Sequence, residues 1–189
     1  MKSITYVFIL ALISVLTLSC SSDDDPTIVN EEEVITTLRL TLTPEQGGTD
    51  IVFQTQDLDG DGPNAPETTV SSPLSASTAY TGTIQLLNEL ESPAENITLE
   101  VQAEDEEHQL FYTLSGNGNV SITYTDQDSN GNPVGLNIVL NSGDASTNSL
   151  TVTLRHEPNK DAVGVSDGDI TNAGGETDIQ TTFNFTVEN

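Results

Sequence analysis

Apolar side chains fall at every second position in long stretches of this chain. Leu38, Leu40 and Leu42 alternate with Arg39, Thr41 and Thr43, and Phe183, Phe185 and Val187 alternate with Thr182, Asn184 and Thr186. A period of two places alternate side chains on opposite faces of an extended backbone, so each stretch predicts a half-buried strand. Ile51-Val52-Phe53, Tyr80 to Leu87, Gln109 to Leu114, Val120 to Tyr124, Leu136 to Leu140 and Leu150 to Leu154 read the same way. About eight such strands, rich in Thr, Val and Ile and punctuated by turns such as Gln46-Gly47-Gly48, predict an all-β fold. The expected architecture is an antiparallel, immunoglobulin-like β-sandwich with one short helix. Pro63 to Ser77 reads as a Pro- and Ser-rich loop, and Glu157 to Asp178 as one long Gly-rich loop before the final strand.

The helix is expected after Ser92-Pro93-Ala94-Glu95, where Ser is placed as N-cap, Pro as first helical residue and Glu as the return arm of a capping box. Ile97, Val101 and His108 then share a helical face up to Glu107. Thr98, Leu99 and Val101 also permit a strand, and the local pattern leaves residues 93–107 open between the two.

The N-terminus carries an address. Met1-Lys2 starts positively, and Ile4 to Leu18 is almost wholly apolar, too short to span a bilayer and long enough for a signal-peptide core. Leu16-Thr17-Leu18-Ser19-Cys20 resembles the lipobox of bacterial lipoproteins, in which the leader is cut before a cysteine that then carries lipid. The acidic run Ser21-Ser22-Asp23-Asp24-Asp25 resembles the export signal that carries Bacteroidota lipoproteins to the outer face of the outer membrane. The expected organisation is a signal peptide at 1–19, a lipidated Cys20 with an acidic linker through residue 33, and a sandwich domain at 34–189. Several acyl chains, each contributing about 0.8 kcal/mol per buried CH₂, would hold the chain to the membrane.

Charge narrows the partners. Thirty acidic residues stand against four basic ones, for a net charge of −26. Such a surface repels nucleic acid and attracts cations. The single cysteine excludes an internal disulfide, so the domain relies on packing, on metal, or on both.

Asp57-Leu58-Asp59-Gly60-Asp61-Gly62 carries carboxylates at alternate positions before a glycine, the first half of a calcium loop. Its twelfth position is Thr68, so a complete EF-hand is excluded, and distant ligands would have to finish the shell. Asp126, Asp128 and Asn130 repeat the spacing, although Asn130-Gly131 between two strands is equally a hairpin turn. Asp167-Gly168-Asp169 is a weaker version. Calcium is therefore the expected cofactor, as a loop stabiliser. His108 and His156 both neighbour glutamates, but no H-x-H or H-x-x-x-H spacing joins them, and shared ligation is not expected. Ser-rich stretches lack a G-x-S-x-G elbow and no phosphate-binding glycine loop appears, so the chain is expected to be non-catalytic. Arg155 and Lys160, in a run that includes His156-Glu157-Pro158-Asn159, are expected to pair with nearby carboxylates.

Thr41-Leu42-Thr43-Pro44, Asp57-Leu58-Asp59-Gly60-Asp61-Gly62-Pro63, Leu86-Leu87-Asn88-Glu89, Glu107-His108-Gln109 and Leu154 to Lys160 together resemble a family of small flavobacterial lipoproteins. Gly168 to Asp178 belongs to the same pattern. Members often carry the label "type 1 periplasmic binding fold superfamily". That fold has two α/β lobes, for which this chain has about half the length and one candidate helix, so the sandwich stands as the expectation. The anchor, the acidic run after Cys20 and the Asp57 to Gly62 loop lead to the expectation of a non-catalytic, lipid-anchored binding protein of the outer membrane, facing the exterior or, alternatively, the periplasm. Its partner would be a glycan or protein outside the cell, or an outer-membrane receptor of a TonB-dependent uptake system to which it delivers a metal or small solute.

Overall fold

Leu38, Leu40 and Leu42 are completely buried while Arg39 and Thr41 are only partly so, as the alternation requires, and they form strand β1, Thr37–Pro44. In this computed structural model residues 33–60 and 62–189 are described. They build ten strands in two sheets. β1 turns through Gly47, whose φ of 84° suits a residue without a Cβ, into β2, Ile51–Gln56. β3 is Glu67–Val70 and β4 Leu74–Ser75. β5 is Ala79–Leu87, β6 His108–Gly116, β7 Ser121–Tyr124 and β8 Asn137–Asn141. The chain ends in β9, Ser146–His156, and β10, Glu176–Glu188. The six-stranded sheet runs β3-β2-β1-β5-β8-β7 and the four-stranded sheet β4-β10-β9-β6.

Between the sheets lies one apolar core of Leu, Ile, Val and Phe side chains. Phe53 from one sheet meets Phe183 and Phe185 from the other at ring-centroid distances of 5.5 and 5.4 Å, the tilted and edge-on contacts that aromatic quadrupoles favour. The sandwich is thus shown, with three departures from the sequence pattern. The loop expected from Pro63 to Ser77 contains β3 and β4, both too short to display a period of two. β4 pairs with β10 in parallel, an exception to the antiparallel rule. The helix, α1, covers only Ile97–Ala103, with Asn96 at its start. Ser92 and Pro93 precede it in a short return where Asn88 and Glu95 exchange backbone hydrogen bonds, so the expected capping box does not form. Ile97 and Val101 bury one face of α1 in the core.

Outside the four-stranded sheet the long 157–175 segment is not idle loop. It holds two 3₁₀ turns, Val165–Asp167 and Ile170–Asn172, and packs Val165 and Ala173 on the outward-facing Phe111. Gln109 donates to the Val165 carbonyl at 2.9 Å. This cover explains why His108, Gln109, Leu110 and Phe111 are buried in succession where alternation would expose every second one.

Candidate metal centre

In the register of β6 and β9, His108 stands directly opposite His156. Both continue the inward-facing row of Leu110 and Leu154, since residues two apart on a strand share a face. The imidazole rings lie 4.5 Å apart at 31°. On the far side of β9, the pairing with β10 shifts register between Thr177 and Ile179, and the bulge inserts Asp178. Its carboxylate Oδ1 comes 3.8 Å from His156 Nδ1. The fourth member, Glu33, reaches in from the segment before β1: its Oε1 is 2.9 Å from His108 Nε2 and its Oε2 3.6 Å from His156 Nδ1.

Burial is nearly complete. The side chains of His108, His156, Asp178 and Glu33 are 0, 4, 0 and 6% exposed. One ligand atom from each of the four lies within 4.8 Å of every other. Bonds of about 2.0–2.2 Å to a tetrahedral ion separate its ligands by roughly 3.3–3.6 Å, within the spread of contacts seen here. His108 Nδ1 lies 3.1 Å from the Glu104 carbonyl just beyond α1. A carbonyl only accepts, so Nδ1 carries a proton, and neutral imidazole then presents the lone pair of Nε2. That lone pair faces a carboxylate oxygen, another acceptor. Only a proton or a cation between them makes the contact favourable. A backbone carbonyl holding the outer nitrogen of a histidine is also how metal-ligating imidazoles are oriented. Glu33 Oε2, buried, has no hydrogen-bond partner among the described residues. Nearby Glu100 has its carboxyl raised above the ordinary range, first by partial burial and next by the charge of Glu33.

Two imidazole nitrogens and two carboxylate oxygens suit zinc and its first-row neighbours better than calcium, which takes oxygen ligands alone. Shared ligation was not expected because the histidines are far apart along the chain and no ligand spacing joins them. Their cross-strand pairing and the Asp178 bulge are the missing information. Glu33, placed in the linker by its run of glutamates, belongs to the folded body. The clue available beforehand was that each histidine sits at the end of a strand beside acidic residues.

The expected calcium residues are arranged differently. Cys20 and Asp61 lie outside the described residues, as does the expected signal peptide at 1–19. Asp57 and Asp59 share an open loop, where Asp57 accepts from the Asp59 N–H and Asp59 from the backbone and amide of Asn64. The Asn64 bonds hold the Asp59 carboxyl below its ordinary range. Asp126 caps two backbone N–H groups, of Gly135 and Asn137, at 2.8 and 2.9 Å. Asp128 accepts from the N–H groups of Asn130 and Asn132 with one oxygen and from the Lys160 ammonium, at 2.9 Å, with the other. Asn130 itself is exposed on the turn that Gly131 closes by donating to the Asp128 carbonyl. In this second loop the carboxylates organise the hairpin connection and bind a lysine, as the turn reading of Asn130-Gly131 and the pairing expected of Lys160 require. Asp169 likewise accepts from Thr171, which lowers its carboxyl.

Comparison with protein-family models, with curated proteins and with solved structures found no match. Among the described residues no helix is long and apolar enough to cross a membrane.

Proposed function

We propose that this chain is a non-catalytic, lipid-anchored surface protein that takes up a divalent transition-metal ion through Glu33, His108, His156 and Asp178. The observation that carries the reading is the buried Glu33 carboxylate, aimed at two imidazoles, with one oxygen that finds no hydrogen-bond donor among the described residues. With neutral imidazoles the group carries two negative charges, which one dication balances; an unbalanced buried charge is costly. Burial also supports a binding role over a catalytic one, because a reacting metal keeps a coordination position open to substrate. The leader, Cys20 and the acidic run after it support anchoring to the outer membrane. An ion-holding protein there fits capture for a TonB-dependent importer as well as stabilisation of a surface adhesin.

Titration calorimetry and native mass spectrometry of the purified chain with zinc, copper(II), iron(II) and calcium test this. Zinc is expected to bind one to one, and His108→Ala and His156→Ala are expected to lose it. No binding of any transition metal would overturn the reading and leave the group as a proton-mediated cluster. The open Asp57–Asp59 loop is the second place for a cation; calcium uptake that survives His156→Ala and disappears in Asp59→Asn would assign it there.

A further inference from the structure

Three of the four ligand-type residues, His108, His156 and Asp178, sit on β6, β9 and β10 of the four-stranded sheet. Glu33 alone comes from the lead into β1, which lies in the middle of the other sheet. We infer, resting on the metal-binding reading above, that the ion acts as a cross-sheet staple: it fastens the lead-in segment 33–36 to the ends of the opposite sheet and decides where the folded body begins.

Apart from Ile35, which packs on the core, and the hydrogen bonds of Thr36, the lead-in has little else to hold it. Thr36 is the first residue of the segment with a backbone hydrogen bond outside the strands, donating to the Leu87 carbonyl at 2.9 Å, and its hydroxyl bonds the same carbonyl and the Glu89 N–H. Val34 is 54% exposed and Ile35 is half-buried. Upstream of Thr36, among the described residues, the polar contacts of the segment are those of the Glu33 carboxylate with the two imidazoles. A carboxylate facing a lone pair is a poor tether; the same carboxylate coordinated to an ion that is also held by three strand residues is a strong one. Stabilisation by a bound ion follows its occupancy, so the start of the folded body moves between Glu33 and Thr36 with metal concentration. The energy scale is that of local opening at a terminus, where free energies run from near zero upward.

Hydrogen exchange read by mass spectrometry on the full chain, with zinc and with chelator, tests the staple. Zinc is expected to slow exchange at least tenfold in a peptide covering 33–37. In Glu33→Ala, zinc is expected still to slow exchange at the ends of β6 and β9 through the remaining ligands, while 33–37 exchanges fast whether or not zinc is present. Zinc bound one to one in calorimetry, with exchange in 33–37 unchanged by it, would overturn the staple and leave the metal site intact. Failure of zinc to bind at all would overturn both, and that outcome is told apart by the calorimetry. The native chain with and without zinc decides the matter even if Glu33→Ala folds poorly.

Discussion

Among the described residues two groups of charged side chains are buried in this sandwich, and they differ in what they are made of. Lys160 is 6% exposed, and its ammonium donates to Asp128, to the Asp105 carbonyl and to the Pro133 carbonyl, so each of its three N–H bonds has an acceptor. Asp128 in turn accepts from two backbone N–H groups. Cation and anion are both supplied by the chain. The group at Glu33, His108, His156 and Asp178 sets two carboxylates against two imidazoles. A buried charge is tolerated when paired, so the first group is finished by folding alone; in the metal-binding proposal the second takes its counter-charge from an ion in solution. In a chain with four basic residues internal cations are scarce, which is why the proposal looks to an external cation for the second group.

The sharpest way to break this contrast is to remove the internal anion. Asp128→Asn strands the Lys160 ammonium, and a loss of about 3–5 kcal/mol is expected in urea denaturation. Lys160→Met is expected to cost less, because Asp128 keeps its backbone donors. Next in size is the effect of the external cation: zinc at a hundred times its dissociation constant should add about 2.7 kcal/mol. That increment should persist in Asp128→Asn and vanish in His156→Ala, which a denaturation series with and without zinc would show. If Asp128→Asn also abolished it, the two groups would not be independent.

Acid gives a smaller and more specific test. Burial alone would raise the Asp128 carboxyl, but the Lys160 hydrogen bond and the N–H groups of Asn132 and Asn130 outweigh it and hold it below its usual 3.8. A carboxyl depressed by folding contributes stability that is complete above its unfolded value and is lost as pH falls through the lower folded value. The stability gap between the native chain and Asp128→Asn should therefore stay constant from neutrality to about pH 5 and close only below 3.8, as denaturation at stepped pH would record. Least of all should come from Asp59→Asn on the open loop, within about 0.5 kcal/mol in the absence of calcium.

How far the chain could be read in advance depends on the distance over which the determining interaction acts. β1 and β10 were legible because their burial follows from alternation within a few residues, as Leu38, Leu40 and Leu42 and Phe183, Phe185 and Val187 demonstrate. The Asn130-Gly131 turn and the role of Lys160 as a carboxylate partner were legible for the same local or compositional reasons. The helix start differs from the local pattern because Ser92, Pro93 and Glu95 satisfy a capping pattern whose residues are instead used in the return between Asn88 and Glu95. β3 and β4 escaped notice because a strand of four residues or two carries no measurable period.

From sequence alone, then, came the strand periodicity, the all-β class, the acidic surface and the expectation of a lipid-bearing Cys20, each of them a property of neighbouring residues or of composition. The tertiary structure alone decided that Phe111 is buried on an outward face, that Asp178 is turned inward by a bulge, and that two histidines 48 residues apart stand opposite each other on paired strands. Strand register is set by the whole sheet's burial and by the loops between its members. No local pattern carries it, and a binding site assembled across strands is therefore invisible until the sheet is built.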